Sequence, residues 1–373
     1  MNKSMSRKKI RGNGAANAVS RYSKLMQNLD AHLFNQNWYE VDTSKIISKK
    51  EKYNFVDLFA GAGGLSLGFV QANFNKVLSN EINPFASATV KRNFPNSVHI
   101  GKAIEKATDE EILNVVGGRT IHVLIGGPPC QGFSVAGLRR EDDPRNVMFL
   151  QFLRIAKLLQ PHYVLMENVP GIITIKKGRV KEAILSEFES AGYPGCSVRI
   201  LEAATYGVPQ LRTRAIFIAN KFSLKNPYPK PLLSRENYIP IEDAISDLIS
   251  VGREPSINHE WTDHSKVMIE RISKIPAGGS LYETYQDAYK RQYLGVPSMT
   301  IKENHGGTHL HPILDRCISA REMARLQTFP DDFFFEGGFK KSVWQIGNAV
   351  PVLLAKHLAL ALRSGLKKAM KIF

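Results

Sequence analysis

The sequence has few cysteines and no long apolar run. Cys130, Cys196 and Cys317 are its only thiols among 373 residues, and no Cys-x-x-Cys pair occurs. Such an odd set argues against a disulfide framework or a zinc site and favours a reducing, cytoplasmic setting. No apolar run reaches the length of a membrane span, and the basic N-terminal stretch lacks the apolar core of a secretory signal. We therefore expect a cytoplasmic protein with no membrane partner.

Acidic residues are also few relative to basic ones. The chain has 50 Lys and Arg against 34 Asp and Glu, which gives a formal net charge of +16. Residues 1–52 hold eleven of the basic and four of the acidic residues, so the remaining chain still carries +9. This excess favours an anionic partner such as nucleic acid. A basic tail on an otherwise neutral enzyme is the alternative.

Internal repeats and low-complexity tracts are absent, so the fold class depends on how strands and helices alternate. Short apolar runs predict strands at Phe55–Phe59, Lys76–Leu78, Ile121–Ile125, Tyr163–Met166 and Ala215–Ala219. The segments between them predict helices at Leu65–Gln71, Asp109–Val116, Met148–Gln160 and Arg179–Ala191. Strands and helices that alternate in this way predict an α/β protein whose parallel sheet is covered on both faces.

Changes in composition divide the chain into four predicted segments. A basic appendage covers residues 1–52, and the first part of the α/β domain covers 53–221. Residues 222–330 form a smaller inserted domain, because the proline-rich part of this segment has no repeated strand–helix unit. Residues 331–373 return to the α/β domain. Two late helices are predicted, at Asp315–Phe329 and at Pro351–Lys368.

Four chemically distinctive features follow predicted strands and should lie along the carboxyl edge of the sheet. The first strand runs into a glycine turn with Gly61 and Gly63, where bare backbone can approach a ligand. Glu81 follows twenty residues later, in position to bind ribose hydroxyls. This spacing suits a dinucleotide enzyme as well as any other adenosine binder. Cys130 and Glu167 follow the third and fourth strands, at the edge where open α/β sheets bind ligands.

A thiol and a carboxyl group in one pocket have a limited number of uses. A cysteine protease needs a histidine to activate the thiol, and none of the ten histidines lies in a recognisable motif with Cys130. A redox site needs a resolving cysteine, and none is near Cys130 in the sequence. Addition of the thiolate to an electron-poor ring, with the carboxylic acid supporting charge on that ring, fits better.

Six motifs resemble those of the DNA cytosine-5 methyltransferase family and occur in its order. They are DLFAGAGG, GGPPCQGFS, ENVPG, QLRTR, REMARLQTFPDDF and QIGNAVP, and the resemblance covers residues 54–362. The resemblance implies a doubly wound, Rossmann-like class I methyltransferase sheet with a smaller target-recognition domain at 222–330. It also implies S-adenosylmethionine as cofactor, S-adenosylhomocysteine as product, no metal, and double-stranded DNA as substrate.

The resemblance also implies the role of each site residue. Cys130 would attack carbon 6 of a flipped-out cytosine, and Glu167 would protonate or hydrogen-bond ring nitrogen 3. Arg214 would help to hold the base, while Arg212 and Gln210 would organise the site around it. The implied cofactor-binding residues are Phe59, Ala60, Gly61, Gly63, Leu65, Glu81, Ile82, Ile104, Pro128, Asn348 and Val350.

A loop that closes over DNA is implied directly after the thiol. Its implied DNA-binding residues are Gln131, Ser134, Arg139, Arg140 and Arg145, and its arginines suit phosphate contacts. A solvated charged loop is the alternative for this segment. Elsewhere the chain departs from the family pattern, because Ala103–Ile104 stands where the family usually has an Asp-Ile pair. That departure implies a lower cofactor affinity or a polar contact to the adenine amine from another group.

The expected protein is a monomeric modification enzyme of a bacterial restriction–modification system, acting in the cytoplasm at the nucleoid. A cognate restriction endonuclease that cuts the same site is its expected partner. Three other functions stay open. They are a tRNA cytosine-5 methyltransferase, a catalytically silent DNA-binding protein, and a nicotinamide-dependent oxidoreductase, which only the glycine turn supports.

Overall fold

The computed structural model describes residues 37–46, 52–129, 147–283, 289–303 and 309–372. Within these ranges the strands are β1 (Trp38–Val41), β2 (Tyr53–Leu58), β3 (Phe74–Asn80), β4 (Val98–Ile100), β5 (Val123–Gly126), β6 (Tyr163–Asn168), β7 (Ser197–Glu202), β8 (Thr213–Asn220), β9 (Asn226–Pro229), β10 (Lys290–Arg291) and β11 (His309–Leu310). The α-helices are α1 (Gly64–Gln71), α2 (Pro84–Asn93), α3 (Asp109–Val116), α4 (Val147–Leu159), α5 (Arg179–Ser190), α6 (Ile241–Ile245), α7 (Lys266–Ser273), α8 (Ala320–Leu326), α9 (Gly338–Asn348) and α10 (Val352–Ile372).

Seven of the described strands form the central sheet, in the order β4-β3-β2-β5-β6-β8-β7. The strands from β4 to β6 are parallel, as predicted, but β8 runs antiparallel to both β6 and β7. The prediction of a parallel sheet is therefore wrong for this strand. The reason is the connection from β7 to β8, which holds only a short 3₁₀ turn and a few residues. A parallel pair needs a crossover of about a dozen residues or more.

Helices cover both faces of the sheet, so the predicted α/β class is confirmed. One face packs under α3, α4 and α5, and the other packs under α1 and α10. Helices α1 and α10 approach each other closely at Gly68, where no side chain fits because a Cβ would lie 2.4 Å from the Cβ of Ala355. Helix α10 is apolar and long, and it is mostly buried inside the protein.

Local sequence signals explain where several helices begin and end. Thr108 caps α3 by accepting from the Glu111 N–H, and Gly117 ends this helix with φ at +60°. The helices predicted at residues 65–71, 109–116, 148–160 and 179–191 are confirmed to within a residue. Helix α2 and strands β4 and β7 were not predicted. Strand β4 has only three residues and an exposed Val98, so its sequence gives little periodic signal.

The described part of residues 1–52 packs against the body of the protein. Strand β1 pairs in parallel with β9, and the Trp38 ring lies edge-on to Tyr228 at 6.3 Å between centroids. The guanidinium of Arg199 lies 3.8 Å above the Trp38 ring. The predicted domain boundaries stay a prediction.

A third apolar cluster joins the later part of the chain to the glycine-turn side of the sheet. It combines residues of α6, α8 and α9 with Val90 and Phe94 from the α2 region. Helix α8 is shorter than predicted and begins in a capping box between Ser319 and Glu322. Next to this cap, buried Arg321 donates to three backbone carbonyls, those of Ile257, Pro330 and Phe333. This arginine therefore ties the segment before α8 to the segment after it.

Candidate active site

The chain leaves β2 through a tight turn, and several positions of this turn favour glycine. Gly61 and Gly63 have φ values of +53° and +90°, in the left-handed region. Gly64 opens helix α1, and a Cβ at this position would lie 2.3 Å from the carbonyl oxygen of Val350. The turn between β2 and α1 therefore lies directly against the chain segment that follows α9.

Glu81, at the end of β3, fastens this turn to the neighbouring strand. Its Oε2 accepts from the Gly61 N–H at 2.8 Å, and its Oε1 accepts from the Asn83 N–H at 2.8 Å. Asn83 in turn caps α2 by accepting from two backbone N–H groups. The carboxylate and the glycine turn, which lie twenty residues apart in the sequence, thus form one structural unit.

A cavity of about 730 Å³ opens along the carboxyl ends of β2 to β6. Most of the predicted cofactor and catalytic residues line it. These are Phe59, Ala60, Gly61, Leu65, Glu81, Ile82, Ile104, Pro128, Glu167, Arg214, Asn348 and Val350. Residue Ile82 is 65% exposed, which leaves an apolar surface open to the cavity. Among the predicted residues, Gly63, Gln210 and Arg212 do not line it.

Glu167 and Arg214 form an ion pair at the β6 end of the cavity. Arg214 Nε lies 2.7 Å from Glu167 Oε1, and the two side chains are only 12% and 13% exposed. Burial raises the pKa of the Glu167 carboxyl, while the guanidinium groups of Arg214 and Arg212 act in the opposite direction. Burial has the larger effect, so Glu167 holds a proton to a higher pH than an ordinary glutamate does.

The loop after β5 lies close to this carboxyl group. Asn168 Nδ2 donates to the Pro128 carbonyl at 3.0 Å, which links the ends of β5 and β6. A Cβ at Gly127 would lie 3.0 Å from Glu167 Oε2. A side chain at residue 127 would therefore crowd this carboxyl group, which glycine avoids.

Arg212 and Gln210 lie behind the cavity and bind backbone. Arg212 donates to the carbonyls of Ile301, Gly347 and Ala349 at 2.7 to 2.9 Å. Gln210 donates to the Leu326 carbonyl and accepts from the Ile301 N–H. Both side chains are buried. Arg212 therefore fixes the end of α9, and Gln210 ties residue 301 to the end of α8. Both position the site and do not line the cavity.

Several predicted residues fall outside the described part of the chain. They are Cys130, Gln131, Ser134, Arg139, Arg140 and Arg145. Pro129 and Met148, which are described on either side of this gap, both line the cavity. The other two thiols are buried away from it. Burial raises the pKa of Cys196, and it raises the pKa of Cys317 to about 12, so neither is a ready nucleophile.

Several residues of the cavity wall were not predicted from the sequence. Glu105, Glu303 and Trp344 line it alongside the predicted residues. Trp344 lies one helical turn before Asn348 on α9, so the i, i+4 spacing from a predicted residue could have identified it. Glu105 directly follows the predicted Ile104. Glu303 has no such signal, because tertiary packing brings it to the cavity.

The cavity suits an adenosine-containing ligand. It has a glycine turn for close backbone approach, a fixed carboxylate for ribose hydroxyls and an open apolar surface at Ile82 for a flat ring. Its volume falls within the usual range for small-molecule sites. Among the described residues, no group of three His, Cys, Asp or Glu side chains is placed to hold a metal ion.

Sequence comparison finds close relatives of one enzyme class. A sequence model of the C-5 cytosine-specific DNA methylases matches residues 53–364. The Type II methyltransferase M1.HphI of Haemophilus parahaemolyticus is 39% identical over 320 residues, covering 82% of this chain and 85% of the relative. The Type II methyltransferase M.DdeI of Desulfomicrobium norvegicum is 34% identical over 367 residues, covering 82% and 87%.

Solved structures show the same fold. The crystal structure of a prophage-encoded DNA modification methyltransferase from E. coli matches with a TM-score of 0.70 and 29% identity, covering 85% of this chain and 100% of that one. The Spodoptera frugiperda DNMT2 structure matches with a TM-score of 0.60 over 84% of this chain. Its identity of 18% supports the fold alone. The predicted Rossmann-like methyltransferase fold is confirmed.

Proposed function

Because the chain belongs to the C-5 cytosine-specific DNA methylase family, we propose that it transfers a methyl group to carbon 5 of a cytosine in DNA. One structural observation supports the proposal in addition to the family match. The Glu167–Arg214 pair, the loop ending at Pro129 and the Glu81-bound glycine turn share one cavity. The cavity therefore brings together a carboxylic acid, a site suited to adenosine and the residue directly before Cys130.

The residues around the glycine turn would hold S-adenosylmethionine. Glu81 would accept from the ribose hydroxyls, and Ile82 would pack against the adenine. Asn348 and Val350 would close the pocket from the far end of the chain, where Arg212 binds the neighbouring carbonyls of Gly347 and Ala349. When bound, the cofactor supplies an electrophilic methyl group.

Glu167 would supply the proton that makes the cytosine ring reactive. With its carboxyl protonated, it donates to ring nitrogen 3, and the Cys130 thiolate adds to carbon 6. Negative charge then accumulates at carbon 5, which takes the methyl group. Loss of the proton from carbon 5 restores the double bond and expels Cys130. The raised pKa of Glu167 supports this role, because it keeps the acid form available at higher pH.

The target cytosine has to leave the double helix to reach this cavity. We propose that the loop with Gln131, Ser134, Arg139, Arg140 and Arg145 contacts the DNA around the flipped base. The net charge of +16 supports a polyanionic partner. Type II methyltransferases among the relatives support a role in restriction and modification, with methylation protecting cytoplasmic host DNA from an endonuclease of the same specificity.

Covalent trapping tests the proposed chemistry directly. A duplex in which 5-fluorocytosine replaces cytosine has no proton to lose at carbon 5, so the adduct with Cys130 accumulates after methyl transfer. The wild-type chain with S-adenosylmethionine should form a protein–DNA complex that survives denaturing electrophoresis. Cys130→Ala should not form it, whereas the matched control Cys196→Ala should. A trapped complex with Cys130→Ala would contradict the assignment of the nucleophile.

A further inference from the structure

The strand order arranges the site residues in one line along the sheet edge. Strands β4, β3, β2, β5 and β6 are neighbours in this order, and all five are parallel. The turn with Glu105 follows β4, Glu81 follows β3 and Glu167 lies near the end of β6. Neighbouring strands lie about 4.8 Å apart, so this row is roughly 19 Å long.

The two ends of this row are chemically different. The β6 end holds the Glu167–Arg214 pair, where the proposed function places the reacting cytosine. Glu81 lies near the other end, where the proposed function places the ribose. A ligand that reaches from the reaction centre to Glu81 therefore has to place its base beyond Glu81, at the turn after β4.

Within the described ranges, four carboxyl groups line the cavity, and two of them already have protein partners. Glu81 accepts from two backbone N–H groups, and Glu167 pairs with Arg214. Among the described residues, Glu105 and Glu303 have no hydrogen-bond or ion-pair partner for their carboxyl groups. Glu303 lies against α9, since its backbone nitrogen would be 2.5 Å from a Cβ at Gly347. Glu105 is therefore the uncommitted carboxylate on the β4 turn.

The turn that carries Glu105 is held in place from outside the cavity. Arg154, on α4, donates through Nη2 to the carbonyls of Ile104 and Ala107 at 3.1 and 3.0 Å. The same guanidinium also pairs with Asp109 at the start of α3. The backbone of the turn is thus anchored before any ligand binds, and the methyl group of Ala103 offers no polar atom there.

We propose that Glu105 is a specificity-determining residue that accepts a hydrogen bond from the exocyclic amino group of the cofactor's adenine. This inference rests on the proposed function, because the direction of the ligand along the edge comes from it. A carboxylate at this point selects a 6-amino purine over a 6-oxo purine, whose oxygen is itself an acceptor.

Calorimetric titration with two product analogues tests this assignment without any turnover. One ligand is S-adenosylhomocysteine, and the other is S-inosylhomocysteine, which carries an oxygen in place of the amino group. The full chain should bind the adenosyl ligand more tightly. Glu105→Ala should weaken the binding of S-adenosylhomocysteine about tenfold and remove most of the preference between the two ligands. Glu105→Gln should also weaken this binding and reduce this preference, but by less than Glu105→Ala does.

Matched variants distinguish Glu105 from the other carboxyl groups nearby. Glu110→Ala removes the same charge from α3 outside the cavity and should leave both affinities unchanged, and Glu303→Ala should keep the preference. The assignment of Glu105 would be overturned if Glu105→Ala kept the preference for the adenosyl ligand, or if Glu303→Ala lost that preference instead. Neither result would overturn the proposed function. A wild-type chain that binds neither ligand would overturn the proposed function as well.

Discussion

Arg214 Nε lies 2.7 Å from Glu167 Oε1 in a pair that is largely shielded from water, yet burial still raises the pKa of the glutamate. The arginine orients the carboxyl group without holding it firmly in the ionised form. An acid that is both oriented and able to keep its proton is what addition of a thiolate to cytosine requires.

Replacing Glu167 by glutamine should slow the chemical step and spare cofactor binding. Glutamine keeps the size of the side chain but cannot transfer a proton to ring nitrogen 3. We expect kcat to fall by about 100-fold or more, while the Kd for S-adenosylhomocysteine changes little. Steady-state methyl transfer and calorimetry measure the two quantities. Glu189→Gln, on the exposed side of α5, serves as the control. If Glu167→Gln lowered the affinity for S-adenosylhomocysteine as much as it lowered kcat, the proton-transfer role would be refuted.

Removing Arg214 should change the pH dependence in a defined direction. Arg214 lowers the pKa of Glu167, so Arg214→Met should raise it further. The protonated fraction of Glu167 then persists to higher pH in the variant than in the wild type. The variant will be slower overall, but the ratio of its kcat to the wild-type kcat should increase as the pH rises. Arg271→Met, on α7, should give a flat ratio. A ratio that stays flat or falls with pH in Arg214→Met would contradict the claim that Arg214 lowers the pKa of Glu167.

Gly64→Ala should disrupt the junction between the glycine turn and the segment after α9. The added Cβ would lie 2.3 Å from the Val350 carbonyl oxygen, which is backbone and cannot turn aside. We expect the Kd for S-adenosylhomocysteine to rise at least tenfold and the free energy of unfolding to fall by roughly 1–3 kcal/mol. Gly171→Ala has open space around it and a permissive φ, so it should change neither. An unaltered affinity for S-adenosylhomocysteine in Gly64→Ala would show that this turn is not part of the cofactor site.

The buried Lys76 should make stability depend on pH. Burial lowers the pKa of Lys76 to about 8, from 10.5 in the unfolded chain, despite the nearby Asp57 carboxylate. Between these two values the unfolded state binds more protons, so this group's contribution to stability increases as the pH rises. The free energy of unfolding of the wild type, minus that of Lys76→Met, should therefore increase between pH 8 and pH 10 in urea titrations. A difference that stays constant or decreases would contradict the lowered pKa.

The sequence predicted the parts of the site that follow strand ends. Gly61, Glu81 and Glu167 are each marked by a short apolar run before them, and the order of the strands brings them to one edge. The direction of β8 could not be predicted, because it depends on a short connection and not on the strand's own residues. Arg212 was predicted, but its carbonyl partners lie 89 and 135 or more residues away. Glu303 reaches the cavity through similar long-range packing, which leaves no local pattern.

Bisulfite sequencing of DNA from a methylation-free bacterial host would show whether this chain methylates cytosine in DNA. The host would express the wild-type chain or Cys130→Ala, and soluble protein would be verified for both. The proposed function predicts methylcytosine at one short sequence motif with the wild-type chain and none with Cys130→Ala. An unmethylated genome with soluble wild-type protein present, or methylation that persists in Cys130→Ala, would contradict it.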